Sequence, residues 1–180
     1  MARIQPLSDE EASPAVRAEF DAQRSAHGCV TNMKRTLGHS LPAFQALMTW
    51  YPLRDEVAEF LGDRATYLFA HAISVANDCL ICSTFFRRIF IENGENPDDL
   101  VLGDWEETLI AFGRALARDP HGVSDPLWAE LKARLTDPQL VVLTAFGAIM
   151  IATNIFNDTL RVDLDEVLYE FRAPSHAAAT

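Results

Sequence analysis

Apolar residues recur along this chain at three- and four-residue intervals. No stretch alternates apolar and polar positions as a half-buried strand would. The pattern predicts an all-α protein. Ser13-Pro14 reads as an N-cap followed by the first helical residue, opening a helix to about Ala26 that Gly28 ends. Residues 28–41 read as an irregular connector. Pro42 opens the next helix, with Phe44, Leu47, Met48 and Tyr51 on one face. Pro52 is expected to interrupt it, with Val57, Phe60 and Leu61 continuing the apolar face. Gly62-Asp63 is a stop and a fresh cap.

From Arg64 an apolar helical run reaches Ala76, where Asn77-Asp78 breaks it and caps a second helix from Cys79 to near Gly94. Asp104 is expected to cap a helix with Trp105, Leu109, Phe112 and Leu116 on one face. Pro126 opens another, through Leu131 and Leu135. Asp137-Pro138 opens a long helix, and Asp163 to Phe171 reads as a short last one. Ala72 to Asn77 resembles Ala148 to Asn154 with one insertion, a faint internal repeat. The expected organisation is one domain over residues 1–172, with its central helix pair at about 63–94 and a loose tail over 173–180.

Residues 138–157 carry no charge, which raises the question of a membrane span. Gln139, Asn154 and Asn157 lie inside the stretch and acids flank it, so a buried core helix is the expectation. The net charge of −11 argues against nucleic acid or an anionic membrane as partner, since both need a basic face. Met1 to Pro6 carries no apolar segment of the kind that heads a secretory signal, and the expected location is cytoplasmic.

Three cysteines are present, and two form the pair Cys79-Leu80-Ile81-Cys82. On a helix this spacing sets two sulfurs about one turn apart on nearly one face. The unpaired amides of a helix start favour a thiolate, which attacks a peroxide or disulfide while the second sulfur resolves the product. By that argument the first cysteine feels the helix end most. No metal site is expected, because zinc takes four ligands and only this pair is clustered. No phosphate loop or dinucleotide fingerprint appears, so no cofactor is expected.

The run Leu68 to Cys82, with Asn77 shortly before the pair and Gly94 beyond it, resembles the core motif of the carboxymuconolactone decarboxylase / alkylhydroperoxidase D superfamily. Gly28, Asn32-Met33, Leu37 and His39-Ser40 are similar to that family's entry segment, and Ala152 to Asn157 to its late helix. The resemblance spans roughly residues 3–168. It implies an all-α fold built from a duplicated helical unit, and a homo-oligomer such as a dimer, trimer or hexamer. It also implies a thiol-dependent oxidoreductase, reducing a hydroperoxide or exchanging disulfides, served by a dithiol reductant protein. In it, Cys82 would be the attacking thiolate and Cys79 the resolving one.

Two positions depart from the family. Its redox members carry a Glu twelve residues before the first cysteine and a His four after the second; here these are Tyr67 and Phe86. His71, with Tyr67 one turn before it to hydrogen-bond it, is the candidate for the missing proton handling. Phe69, Phe85, Phe86 and Ile89 would give the pair an apolar wall suited to an organic hydroperoxide as the small-molecule substrate. Two alternatives stay open: a cofactor-free decarboxylase of the same superfamily, and a non-catalytic or redox-sensing member that has lost the relay. Cys29 reads as inert, His39 as a packing residue, and Arg87-Arg88 as surface ion-pairing residues. Asn154 and Asn157 read as inter-helix hydrogen-bonding groups, and Asp158, Asp163, Asp165 and Glu166 as a solvated acidic face.

Overall fold

In a computed structural model, which describes residues 2–174, helices open close to where the sequence placed them. Ser13 accepts from the Val16 amide and starts α1 (Pro14–His27), and Gly28 closes it in the left-handed region at φ 79°. The connector is not irregular throughout. Thr31 caps a short helix, α2 (Asn32–Leu37), by accepting from the Lys34 amide. Six residues are too few to show a period, and so the pattern hid it.

Then follow α3 (Leu41–Met48) and α4 (Trp50–Leu61). Pro52 does not interrupt a helix. It sits in the first turn of α4, where the proline's missing N–H has no partner to lose, and the break falls earlier, at Thr49. α5 (Asp63–Ala76) and α6 (Leu80–Glu92) form the hairpin that carries the cysteines. α7 (Asp104–Arg118) is capped by Gly103 rather than Asp104, with the Glu106 carboxylate accepting from the Gly103 amide at 3.0 Å. α8 (Asp125–Arg134) and α9 (Asp137–Leu160) complete the set, and the last predicted helix is a 3₁₀ turn, Glu166–Phe171. No strand occurs among the described residues. Residues 175–180 of the expected tail lie outside them.

The main core gathers where α5, α7 and α9 meet, around Phe69, Ile73, Phe112, Phe146 and Met150. Gly113 makes the closest crossing possible: a Cβ there would stand 2.9 Å from the Phe69 carbonyl. α9 is long and apolar enough to cross a membrane by composition alone. It packs instead on α3, α4, α5, α7 and α8, and its inner face carries buried Asn154 and Asn157, as a core helix. Arg87 is buried rather than on the surface. It clamps Asp98 through two bonds (2.6 and 2.9 Å) and donates to the Phe171 carbonyl, tying the last turn to α6. Arg88 pairs with Glu92 on the surface. His39 bonds the Gln5 carbonyl at 2.9 Å, a packing role.

A smaller core joins α1, α2 and α3 around Phe20, Leu37 and Phe44. Beside it Lys34 is 4% exposed, with its ammonium 5.1 Å from the Tyr51 ring centre. Burial pushes the Lys34 amine down from 10.5 to about 8, against opposing charge effects from Cys29 and Asp165. Between those two values the unfolded chain holds a proton that the folded chain has lost. Stability therefore rises with pH through that window, and the full penalty applies below it. We expect Lys34→Met to raise stability at neutral pH by about 1–3 kcal/mol, at about 1.4 kcal/mol per pKa unit less the lost cation–π contact. Urea unfolding of both proteins across that pH window checks this. A gap that fails to close as pH rises would contradict it.

Candidate active site

The cysteine pair is set by the turn between α5 and α6. The Cys79 amide bonds the Ser74 carbonyl at 3.0 Å, and the Asp78 amide bonds that of Val75 at 3.1 Å. This is the Schellman pattern of closing bonds, with Asp78 in the left-handed position at φ 57°. Asp tolerates that region better than most side chains. The chain reverses there, and Cys79 at once becomes the N-cap of α6, with extended backbone (φ −80°, ψ 104°). Cys82 follows in the first turn of α6. Both sulfurs are free thiols; Cys79 is 0% exposed and Cys82 7%.

The end of α9 docks onto this turn. α9 closes with the same bonding pattern: the Val162 amide bonds the Asn157 carbonyl at 3.0 Å, and Arg161 bonds that of Asp158 at 3.2 Å, with Arg161 left-handed. The N-terminal segment holds this helix end from outside, the Arg3 amide bonding the Leu160 carbonyl at 2.9 Å. One side chain is thereby fixed against a sulfur: the Asn157 amide donates to the Cys82 sulfur at 3.3 Å. The next residue, Asp158, is exposed, and its charge is felt by the Cys79 thiol.

The electrostatics move the Cys79 thiol and the Asp158 carboxyl away from their ordinary values. The Cys79 thiol is pushed far up, first by donating its proton to the Cys82 sulfur and then by burial, with the negative charge of Asp158 adding to both. Asp158 is also raised. Burial is the largest cause, the charge of Asp78 adds to it, and the bond from Cys79 opposes it. Cys79 is thus the sulfur that keeps its proton, and Cys82 the one that accepts from Asn157.

The expected proton handlers are placed elsewhere. Tyr67 does not bond His71. Its hydroxyl accepts from Arg54, whose guanidinium lies 4.9 Å over the ring. A charged donor from α4 outcompetes a neutral imidazole one turn away on the same helix. The His71 ring stands edge-on to Phe86 and Phe90, with centroids 6.4 and 5.5 Å away. Its Nε2 is buried with no hydrogen-bond partner among the described residues. Burial, and then the charges of Arg87 and Arg114, push His71 down to about 4, so it is neutral near pH 7. Phe86, at the family's histidine position, packs 6.1 Å from the Tyr67 ring.

Asn157 makes the inter-helix hydrogen bond expected of it, and what sequence reasoning missed is its partner, Cys82. Asp158 is exposed, as expected, but its charge bears on Cys79. Asp165 leaves the acidic face, accepting from the Asn32 amide at 2.8 Å. Asn154 is fully buried, and neither of its amide atoms has a partner among the described residues. No group of three metal-ligating side chains occurs among the described residues. A groove of about 620 Å³ lies between α7 and α8, lined by Asp104, Glu107, Glu130 and Arg134 among others; none of its lining belongs to the cysteine turn.

No protein-family model matches the chain, and no curated protein matches it. Solved structures do. One is the alkylhydroperoxidase AhpD core of an uncharacterized peroxidase-related protein from Ralstonia eutropha JMP134. It is 17% identical with a TM-score of 0.75, over 96% of this chain and 97% of that one. The chain has the alkylhydroperoxidase D fold. A peroxidase-related protein from Silicibacter sp. TM1040 shares this AhpD fold at 14% identity and a TM-score of 0.71, over 93% of this chain and 96% of that one. A cysteine-to-alanine variant of the debrominase Bmp8, in complex with 2,3,4-tribromopyrrole, shares it at 17% identity and a TM-score of 0.78, over 93% and 94%.

Proposed function

We propose that this AhpD-fold protein is a thiol-dependent oxidoreductase of the cytoplasm that reduces a small organic hydroperoxide by cycling Cys79 and Cys82. The observation that carries this reading is the asymmetry of the pair. The Cys82 sulfur accepts from the Asn157 amide in the first turn of α6, while burial and its neighbours hold the proton on Cys79. A donor aimed at one sulfur at a helix start is the arrangement an attacking thiol uses.

Cys82 attacks the outer oxygen of the hydroperoxide. The O–O bond breaks, Cys82 becomes a sulfenic acid, and the alkoxide takes a proton and leaves as the alcohol. Cys79 then attacks the Cys82 sulfur, a disulfide forms and water leaves. Two electrons have passed from the thiols to the peroxide. A dithiol protein returns them by exchange, restoring both thiols. No metal or organic cofactor takes part. The arginines nearest in sequence to the pair, Arg87 and Arg88, are bonded to Asp98 and Glu92, which leaves them poorly placed to bind the carboxylated lactone of a decarboxylase.

The likeness to Bmp8 favours a second substrate class, a halogenated pyrrole. The same dithiol would supply the two electrons that replace carbon–bromine by carbon–hydrogen, giving bromide, a proton and the disulfide.

Thiol titration tests the reading. We expect two of the three thiols to disappear together on adding one equivalent of an organic hydroperoxide, to return with dithiothreitol, and to map to a Cys79–Cys82 bridge. Retention of all three thiols would end the proposal. A tribromopyrrole arm, read by bromide release, separates the two substrate classes.

A further inference from the structure

Cys82 is the sulfur of the pair with residual exposure, at 7% against 0% for Cys79, so an incoming oxygen meets Cys82 first. The side chain already on that sulfur is Asn157, whose Nδ2 donates to it at 3.3 Å. The other end of the same amide, Oδ1, is buried and has no hydrogen-bond partner among the described residues. The oxygen and nitrogen of an amide stand about 2.3 Å apart, which puts Asn157 Oδ1 within roughly 5.6 Å of the Cys82 sulfur. An oxygen atom at hydrogen-bonding distance from Oδ1, about 2.5–3.0 Å, can therefore also stand about 3–3.5 Å from the sulfur, close enough to be attacked.

One turn earlier on the same buried face of α9 is Asn154. It is 0% exposed, and neither its Nδ2 nor its Oδ1 has a partner among the described residues. Native interiors pair nearly all such groups, and an unpaired one costs stability. A leucine at this position would suit an apolar core helix better. Two successive amides with unpaired atoms, one of them already on the Cys82 sulfur, are placed for a ligand rather than for the core.

We propose that Asn154 and Asn157 form a polar subsite for the terminal –O–O–H group of a hydroperoxide, holding the oxygen that is transferred to Cys82. This rests on the reading of Cys82 as the thiol that attacks a peroxide. Asn157 Oδ1 accepts the hydrogen of the outer oxygen, and Asn154 Nδ2 donates to a lone pair of the same oxygen. The Cys82 thiolate attacks that oxygen, the S–O bond forms and the O–O bond breaks. Two electrons pass from sulfur to the peroxide, and the inner oxygen leaves as an alkoxide that takes a proton from water. The hydrogen on the transferred oxygen stays where it is, so one bond to Asn157 holds first the hydroperoxide and then the sulfenic acid.

The test uses the full chain with Cys29→Ser and Cys79→Ser, which leaves Cys82 as its one thiol. Second-order rates are measured with tert-butyl hydroperoxide and with methyl methanethiosulfonate, which needs the same thiolate but carries no O–H. We expect Asn154→Leu to slow the hydroperoxide at least ~10-fold, as for one hydrogen bond lost to an oxygen that gains charge, and to leave the thiosulfonate rate unchanged. Asn154→Ser keeps a donor and should recover part of the difference. Asn154→Ala repeats the comparison without added bulk if leucine prevents folding. Asn157→Leu also removes the donor to the sulfur, so both reagents should slow, the hydroperoxide more. Slowing of both reagents equally, or of neither, by the Asn154 substitutions would overturn the subsite and leave the redox pair standing. A parent protein that reacts with the thiosulfonate but not with the hydroperoxide would overturn the peroxidase reading itself, and the subsite with it.

Discussion

Cys82→Ser is expected to reduce hydroperoxide consumption to the rate of buffer and dithiothreitol alone, whereas Cys79→Ser, with no dithiol added, still consumes one equivalent and then stops. The two sulfurs are chemically alike but sit differently. Cys82 lies in the first turn of α6 with the Asn157 amide 3.3 Å away, so charge on its sulfur meets a donor and the helix end. A serine there keeps the hydrogen bonds but is no nucleophile near neutral pH. Cys79 lies at the N-cap, fully buried, where burial and its neighbours hold its proton. Without it the first oxidation proceeds and the sulfenic acid has no partner. Intact-mass measurement after one equivalent of hydroperoxide should show Cys79→Ser heavier by one oxygen and Cys82→Ser unchanged. The reverse result would exchange the roles of the two sulfurs. That outcome would favour the helix-end argument from sequence, which put the charge on the first cysteine.

That argument treated a helix start as a field alone, without tertiary contacts. The tertiary contact that distinguishes them comes from α9, which lies 75 residues away in the chain from Cys82. Local signals were legible where one side chain satisfies one nearby backbone group. Ser13 and the Asn77-Asp78 break are of this kind, as is the cysteine spacing itself, since capping and reversal are decided within a few residues. Pro52 misled because a proline breaks a helix interior but fits a first turn, and the sequence alone did not show which turn it occupied. The short α2 held too few residues to display a period.

The partners of the site follow a different rule. Asn157 and Asp158 look from sequence like polar interruptions at the end of an apolar helix, and that is correct locally. Their meaning comes from the docking of the end of α9 on the start of α6, which no periodicity encodes. Tyr67 and His71 show the opposite error. Their spacing made them neighbours on one helix, and a third residue from another helix, Arg54, took the hydroxyl. A one-turn spacing establishes proximity, but it does not establish which donor wins.

The helix before the cysteine turn is a different matter, and Phe69→Ala is expected to cause the largest loss of stability in the protein. Phe69 is 0% exposed, with its ring 5.8 Å from that of Phe112 on α7 and 6.1 Å from that of Phe146 on α9. Glycines face it from both helices. A Cβ on Gly113 would stand 3.2 Å from the ring, and one on Gly147 would stand 3.1 Å from it. The phenyl ring therefore fills space that the neighbouring helices leave by having no side chain there. Neither glycine has a side chain to move into the hole, so relaxation is limited and the cavity persists. Buried Phe→Ala changes cost about 3–5 kcal/mol, and poor collapse places this one toward the upper end. For a chain of this size the midpoint of thermal unfolding should fall by roughly 10–15 °C. The cysteine turn is set by its own backbone bonds and by Asn157, so the fraction that remains folded should still close the Cys79–Cys82 bridge on oxidation. Thermal unfolding followed by circular dichroism, with thiol titration at a temperature below both midpoints, checks the two halves of this expectation. A loss under about 1 kcal/mol would mean that α7 and α9 do close over the site of the ring. An unreactive pair in the folded variant would mean that the packing of α5, and not the turn alone, sets the sulfurs.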